Sequence, residues 1–239
     1  MTFSLEVQAP SKLPAFKNWK LFREDATKWL KVIPTESIDL CITDPAYESL
    51  EKHRAIGTTT RLKKSDGSSN EWFDIFPNAR LPEFFFELYR LMKKDTHVYL
   101  FSDVETMIIM RSLALSAGFT WWDPLVFDKV DIGMGYHYRK RYEMITFIEK
   151  GKRRLADLSV SNILTEKRIR LGYPTEKPVG PIATLVRQSS EKGQIVIDPF
   201  FGSGSTGEAA LELGRRFLGT DTAELAHRTA ELRLARFAE

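Results

Sequence analysis

The chain has 239 residues, 43% of them hydrophobic, and a formal net charge of +3. This length suits one large α/β domain, and no apolar stretch approaches the roughly 20 residues of a membrane-spanning helix. The single cysteine, Cys41, excludes an internal disulfide and a cysteine-based zinc cluster, and we predict no metal site. Residues 1–17 lack the basic start, apolar stretch and cleavage site of a signal peptide, so we expect a cytoplasmic protein.

Strand-like and helix-like segments alternate along the chain, which predicts a mainly parallel sheet covered by helices. In chain order, the predicted strands are 19–22, 37–43, 96–101, 119–127, 142–149, 194–197 and 216–220. The predicted helices are 26–32, 81–92, 104–117, 178–190, 206–213 and 223–237. We interpret residues 1–239 as one domain.

The strand predicted at 37–43 ends in Asp44-Pro45-Ala46-Tyr47, which brings a carboxylate, a free backbone carbonyl and an aromatic ring to one corner. These groups can hold a planar amine, such as the exocyclic amine of a nucleobase. Asp-Pro after a strand is also a common opening of a turn, so the tetrapeptide alone leaves both interpretations open. The long irregular stretch 48–78 follows directly, and we predict that it is a mobile loop over this corner.

A second corner follows the strand predicted at 194–197, where Asp198-Pro199-Phe200-Phe201 leads into Gly202-Ser203-Gly204 and a helix start. Glycines let a ligand approach the backbone closely, and the N–H groups of a helix start can bind a carboxylate or phosphate. Asp221 lies 23 residues after Asp198, near the spacing at which an acid binds ribose hydroxyls. The stretch lacks the Gly-Lys-Ser/Thr ending of a phosphate-binding P-loop, and a purely structural turn is the alternative.

Residues 136–170 carry ten lysines and arginines against four acids, so this segment has a net charge of +6 and the rest of the chain −3. Tyr136, Tyr138 and Tyr142 are interleaved with these charges. The pattern favours a surface that binds polyanions, and a solvated loop and strand edge is the alternative.

Together these segments resemble, over most of the chain, the DNA amino-methyltransferases that use S-adenosylmethionine. Asp44-Pro45-Ala46-Tyr47 is similar to their catalytic Asp-Pro-Pro-Tyr motif, and 198–206 is similar to their cofactor loop, Asp-Pro-Phe-x-Gly-Ser-Gly-Thr. Thr175-Glu176-Lys177-Pro178 resembles their Thr-x-Lys-Pro segment, and Glu24-Asp25-Ala26 resembles their Gly-Asp-Ala segment. Residues 128–143 are similar to the segment that lines the target-base pocket. The order of the motifs resembles that of the permuted group, in which the catalytic motif precedes the cofactor motif.

The resemblance implies a Rossmann-like class I methyltransferase fold, with a mostly parallel seven-stranded sheet, one antiparallel strand and a circularly permuted order. It implies that the Asp44 carboxylate and the Pro45 carbonyl hold the amine and that Tyr47 stacks on the base. The implied S-adenosylmethionine-binding residues are Asp25, Thr175, Lys177, Pro178, Asp198, Phe200, Gly202, Ser203, Gly204, Thr206 and Asp221. The predicted DNA-binding residues are Tyr136, Arg139, Lys140, Arg141, Arg153 and Arg154.

The implied activity is methyl transfer to the exocyclic amine of a flipped base in DNA, and aspartate at position 44 favours adenine N6. The alternatives are N4-cytosine methylation, methylation of RNA or of a protein amide, and a non-catalytic DNA-binding partner subunit. Residues 150–174 are largely basic and are predicted to form a small target-recognition insert. Because dimers are frequent in the family, we also expect a homodimer.

Ala46 departs from the family motif, which usually has a second proline at this position. The carbonyl that would hold the amine belongs to Pro45, whereas the second proline adds only stiffness. We therefore predict that the chemistry is retained and that the corner is looser.

Overall fold

A mixed sheet of nine strands runs through the part of the chain that the computed structural model describes, residues 12–48, 74–133, 137–170 and 172–238. The strands are β1 (Trp19–Phe22), β2 (Ile38–Thr43), β3 (Met92–Ser102), β4 (Thr120–Trp121), β5 (Leu125–Asp128), β6 (Tyr142–Lys150), β7 (Ile163–Thr165), β8 (Ile195–Asp198) and β9 (Arg216–Thr220). Their spatial order is β1-β9-β8-β2-β3-β6-β5-β7, and β4 pairs with β6. Strand β6 is antiparallel to β3, β4 and β5, whereas the other pairs are parallel.

The predicted fold class, a mostly parallel sheet with one antiparallel strand, is therefore confirmed, but the predicted number of seven strands is wrong. The strand predicted at 119–127 divides into β4 and β5, because Pro124 has no N–H group to donate to the sheet. Strand β7 was missed because three residues are too short to show an alternating pattern. It pairs with β5, so the predicted insert 150–174 contributes a strand to the main sheet.

Six α-helices cover the described sheet: α1 (Ala26–Lys31), α2 (Leu81–Leu91), α3 (Val104–Ala117), α4 (Val179–Ser189), α5 (Ser205–Glu212) and α6 (Glu224–Leu234). Local signals set their ends. Asp103 caps α3 by accepting a hydrogen bond of 2.8 Å from the Thr106 N–H group. Gly118 ends the same helix at φ 108°, a left-handed conformation that favours glycine. None of the helices in the described ranges combines the length and apolar character needed to cross a bilayer.

Two apolar layers enclose the sheet, one on each face. The first contains Trp29 of α1, Phe84 of α2 and Met110 of α3, all buried against one side of β2 and β3. The second contains residues of α4, α5 and α6 against the other side, such as Ile182 and Ala226. Every residue of β2 is consequently buried, as expected for the centre of a parallel sheet with helices on both faces.

The two predicted motifs leave this sheet at the same edge. Strands β2 and β8 are parallel neighbours, with Leu40 opposite Val196 and Cys41 opposite Ile197. Because both strands end within two residues of this pairing, Asp44 directly after β2 and Asp198 at the end of β8 lie at adjacent carboxyl ends. Crevices outside the carboxyl ends of parallel strands are where open α/β sheets bind ligands.

Candidate active site

The catalytic corner predicted from the sequence lies directly after β2, and a segment from elsewhere in the chain braces it. The N–H group of Phe76 donates a hydrogen bond of 2.7 Å to the carbonyl of Ala46, and Tyr47 forms an isolated parallel bridge with Phe76. This contact fixes the backbone at the position where the family motif usually has its second proline. Residues 49–73 of the predicted loop 48–78 lie outside the described residues.

Lys177 links the Asp44 carboxylate to a second carboxylate, that of Glu143. Its ammonium group forms an ion pair with Asp44 and lies 3.1 Å from a Glu143 oxygen, while the ammonium of Lys129 lies 3.0 Å from the other oxygen. The Lys177 ammonium also lies 5.3 Å from the centre of the Phe101 ring. The four charged groups alternate in sign, so each carboxylate has a cationic neighbour.

This arrangement sets the protonation of the cluster. Burial acts to raise the pKa of Glu143, but Lys177 and Lys129 outweigh it and hold the pKa at about 2. Burial acts to lower the pKa of Lys177, but Asp44 and Glu143 raise it above its ordinary value. For Asp44, burial raises the pKa of the carboxyl, and the charge of Lys177 opposes that increase. The contact with Lys177 therefore favours the ionised Asp44 carboxylate, which can accept hydrogen bonds.

The glycine-rich turn predicted as the cofactor loop joins β8 to α5. Gly204 adopts φ 82°, and a β-carbon at this position would lie 2.9 Å from the Cβ atom of Ala230. The N–H group of Gly202 donates a hydrogen bond of 3.0 Å to Asp221, which also accepts one of 2.9 Å from Ala223. Burial raises the pKa of Asp221, and these hydrogen bonds act in the opposite direction. Asp221 is therefore held against the glycine-rich turn.

Asp198 joins the two corners. One of its carboxylate oxygens accepts hydrogen bonds from the Thr43 hydroxyl, at 2.6 Å, and from the Phe200 N–H group, at 3.0 Å. Thr43 precedes Asp44, so this single carboxylate connects the end of β2 to the start of the cofactor loop. Burial raises the pKa of Asp198 to about 7, although hydrogen bonds from Thr43, Phe200 and Thr206 oppose the shift.

We expect the free energy of unfolding of the Asp198→Asn variant to depend less on pH than that of the unsubstituted protein. An aspartate in an unfolded chain has a pKa of about 3.9, so the folded state binds this proton more tightly. The resulting stabilisation is present below about pH 4 and falls by about 4 kcal/mol as the pH rises through about 7. Asparagine retains the acceptor oxygen without titrating. Urea unfolding at pH 5, 6, 7 and 8 measures the difference.

The exposed Asp123 provides the matched control for this experiment, because Asp123→Asn makes the same chemical change outside the core. This control should keep the pH dependence of the unsubstituted protein. Equal slopes for Asp198→Asn and the unsubstituted protein would contradict the assigned titration.

Asp25, predicted to approach the adenine of the cofactor, has both carboxylate oxygens engaged. One oxygen caps α1 by accepting a hydrogen bond of 3.1 Å from the Lys28 N–H group. The guanidinium of Arg80 pairs with both oxygens, at 2.7 Å for one of them, and stacks over the Phe76 ring at 5.0 Å. Sequence reasoning missed Arg80 because it lies 55 residues from its partner.

The Thr175–Pro178 segment is held by Arg233 of α6, another residue that sequence reasoning missed. Arg233 forms an ion pair with Glu176 and donates a hydrogen bond of 2.8 Å to the Ser205 hydroxyl. It therefore ties the segment that carries Lys177 to the residue that follows Gly204. Thr175 itself is exposed at φ 58°, and Pro178 is buried at the start of α4.

Most of the cofactor residues predicted from the sequence lie at one edge of the sheet. Asp198, Phe200, Gly202, Ser203, Gly204 and Thr206 form the loop after β8, and Asp221 lies against it. Lys177 instead contacts the catalytic corner. The half-buried Asp221 beside backbone N–H groups, with a glycine turn that a β-carbon would crowd, fits a cofactor with ribose hydroxyls and a carboxylate end.

The predicted DNA-binding residues divide into two groups. Arg139, Lys140 and Arg141 lie on the connection between β5 and β6, at the same sheet edge as Glu143, and Arg141 pairs with Asp128 through a bond of 2.7 Å. Tyr136 lies outside the described residues.

Arg153 and Arg154 follow the other end of β6, which is about 25 Å away for a nine-residue strand. The Arg153 N–H group donates to Glu149, and its carbonyl lies 3.1 Å from His97 Nε2. The structure therefore does not bring these two arginines together with the catalytic corner.

Comparisons with known proteins support a shared family. The family model N6_N4_Mtase, described as DNA methylase, matches residues 157–232. The chain is 30% identical to the putative methylase YubD of Escherichia coli (strain K12) over 217 residues, covering 90% of both chains. It is 28% identical to the DNA adenine methyltransferase YhdJ of the same organism over 236 residues, covering 82% of this chain and 76% of YhdJ.

Two solved structures share the fold. The M1.HpyAVI–SAM complex superposes with a TM-score of 0.69 at 20% identity, covering 90% of this chain and 98% of the other. The PvuII DNA methyltransferase, described as cytosine-N4-specific, superposes with a TM-score of 0.72 at 14% identity, covering 91% of this chain and 86% of the other.

Proposed function

This chain belongs to the N6_N4 family of DNA methylases, and we propose that it methylates the N6 atom of adenine in DNA. One observation carries the proposal: the hydrogen bond of 2.6 Å from Thr43 to Asp198 joins the Asp44 corner to the glycine loop. The carboxylate that we propose to bind the amine and the loop that we propose to hold the cofactor are thus neighbours at one edge of the sheet. The permuted order of the two motifs remains part of the proposal.

S-adenosylmethionine is the methyl donor, and when bound it supplies an electrophilic methyl group. Asp198 and the loop 200–206 would hold it, with Asp221 toward its ribose. Two observations support this placement of the cofactor: the Gly202 N–H group donates a hydrogen bond to Asp221, and the turn at Gly204 has no room for a β-carbon.

The residues of the corner prepare the nucleophile. The lone pair of an exocyclic amine is delocalised into the ring, so the nitrogen is a weak nucleophile. The Asp44 carboxylate and the Pro45 carbonyl accept its two N–H bonds, which favours a more tetrahedral nitrogen and frees the lone pair. Fixed acceptors aimed at the developing positive charge stabilise the transition state without reorganisation. Tyr47 provides a ring on which the flipped base stacks.

Lys177 favours the ionised form of Asp44, which this mechanism requires. Its ammonium neutralises the repulsion that would otherwise arise between Asp44 and Glu143, two carboxylates that it contacts at once. The charge of Lys177 therefore favours the ionised form of Asp44 in this partly buried site. Lys177 thus acts in this proposal on the catalytic acid, in addition to its predicted position near the cofactor.

Two kinds of support favour adenine. The corner carries aspartate at position 44, and YhdJ, a relative that covers most of the chain, is described as a DNA adenine methyltransferase. The structural likeness to a cytosine-N4-specific enzyme makes N4-cytosine methylation the second candidate. Homodimer formation, cytoplasmic location and a target-recognition role for residues 150–174 remain predictions.

Radiolabelled methyl transfer tests the function directly. The purified protein is incubated with labelled S-adenosylmethionine and, in parallel, duplex DNA, single-stranded DNA, RNA and protein. We expect label in DNA and, after digestion and mass spectrometry, N6-methyladenine. N4-methylcytosine alone would assign the second candidate. Label confined to RNA or protein would overturn the DNA assignment, and binding of S-adenosylmethionine without transfer to any acceptor would indicate a non-catalytic subunit.

A further inference from the structure

Tyr138 is a fully exposed aromatic side chain on a braced loop. Its relative exposure is 102%, the largest among the exposed hydrophobic residues of the described chain. Backbone hydrogen bonds join the described flanks of this loop: Gly133 N–H to the Lys140 carbonyl at 2.7 Å, and Lys129 N–H to the Arg141 carbonyl at 2.8 Å. Tyr138 lies between these two joined flanks, and its ring is exposed to solvent.

The loop leaves the sheet beside the catalytic corner. Strands β5 and β6 pair at Asp128 and Tyr142, and the loop connects these two ends. The next residue of β6, Glu143, contacts Lys177, which contacts Asp44. Tyr138 precedes Tyr142 by only four residues, a span of at most about 14 Å. If a flipped base is held at Asp44, the gap that it leaves in the DNA stack would therefore lie within reach of the Tyr138 ring.

Positive charges flank the ring on the same loop. Arg139 and Lys140 follow Tyr138 directly and are both exposed, and the Arg139 Nε atom donates to the Gly133 carbonyl at 2.7 Å. Cations at this position favour contact with phosphates, whereas an aromatic face favours contact with bases. An exposed ring beside such cations is therefore suited to contact a nucleic-acid duplex.

We propose that Tyr138 is a stacking wedge that enters the DNA duplex and fills the space left by the flipped target base. The inference rests on the proposed DNA methylation and adds the residue that stabilises the opened duplex. Flipping removes a base from contact with its two neighbours, and an aromatic ring in the gap restores part of the lost stacking. Tyr138 would act on the DNA around the target, whereas Tyr47 would stack on the flipped base itself.

The test compares two duplexes that differ only in the cost of flipping. The target motif is first identified by sequencing plasmid DNA that the unsubstituted protein has methylated. One synthetic duplex then carries the motif fully paired, and the other carries the target base opposite an abasic site. Tyr138→Ala is compared with Tyr138→Phe, which keeps the ring. Leu232→Ala is the matched control, because Leu232 is 81% exposed on α6 at the opposite edge of the sheet.

On the paired duplex, we expect Tyr138→Ala to lower kcat/KM by about 10- to 100-fold, the scale of one aromatic–base stack. On the abasic duplex the loss should be smaller, because the target base is no longer paired and flips at a lower cost. Tyr138→Phe and Leu232→Ala should resemble the unsubstituted protein on both duplexes.

Two results would overturn the wedge: unchanged activity of Tyr138→Ala on the paired duplex, or an equal loss on both duplexes. Failure of the proposed function gives a different result, because the unsubstituted protein would then methylate no DNA at all. Since the Tyr138 side chain is exposed, unfolding in urea should be the same for all variants.

Discussion

The Asp44→Ala variant is expected to lose methyl transfer by about a thousandfold or more, the upper range for removing one fixed electrostatic group from an active site. Asp44 accepts an N–H bond of the target amine in the proposed mechanism, and an alanine side chain has no acceptor to replace it. The binding of S-adenosylmethionine should be largely unchanged, because its cradle follows β8 and is built from the Gly202 to Gly204 turn and Asp221.

Labelled methyl transfer and calorimetric binding of S-adenosylmethionine measure the two effects separately. Asp44→Asn is the matched variant: it preserves the shape of the side chain but replaces the charge that pairs with Lys177. We expect it to lose most of the activity too, because its amide is a weaker acceptor. Full activity of Asp44→Ala would reject the assigned catalytic corner, and joint loss of transfer and cofactor binding would point to a structural role.

The Lys177→Met variant should be less active than the unsubstituted protein. As the pH is lowered, it should also lose its activity at a higher pH than the unsubstituted protein does. Without the ammonium, Asp44 and Glu143 repel each other in a buried site, so their pKa values rise. The proposed mechanism needs ionised Asp44, and the acid limb of the pH–rate profile therefore moves to higher pH. Removing one partner of this partly buried ion pair also destabilises the fold, by less than the roughly 3–5 kcal/mol of a fully buried pair.

Lys177→Arg keeps the positive charge and is the control for this experiment. It should leave the acid limb near its original pH even if the larger side chain lowers the rate. The measurements are kcat/KM from pH 5 to pH 9 and the free energy of unfolding in urea at neutral pH. An acid limb that does not move in Lys177→Met, with the activity reduced at every pH alike, would show that Lys177 does not control Asp44.

Much of the fold was predictable because its local signals are strong. The predicted bounds of β1, β9 and α3 agree with the structure, and α3 ends at Gly118 as expected. The predicted strand bounds were wrong where the sequence pattern did not show that one strand ends or another begins. The apolar run 119–127 contains Pro124, whose missing N–H group separates β4 from β5. The run of charged residues before Thr96 concealed that β3 begins at Met92.

The candidate site was predictable to the extent that its residues are close in sequence. The Asp44 to Tyr47 corner and the loop at 198–206 are contiguous motifs, and the resemblance identified both. Glu143 was only part of the predicted base-pocket segment, although its position one residue into β6 was a usable signal. Arg80 and Arg233 had no signal, because each acts through a partner more than 50 residues away.

The sequence by itself determined the alternation of strands and helices, the two motifs at strand ends and the family that they resemble. These follow from side-chain periodicity, glycine and proline, which act over a few residues. Only the tertiary structure decided where Lys177 lies: the resemblance implied a contact with the cofactor, but folding places its ammonium between Asp44 and Glu143. Tertiary structure also separated Arg153 from Arg139 by the length of β6. Charge pairing across distant segments depends on which strands become neighbours, and no local pattern encodes that distance.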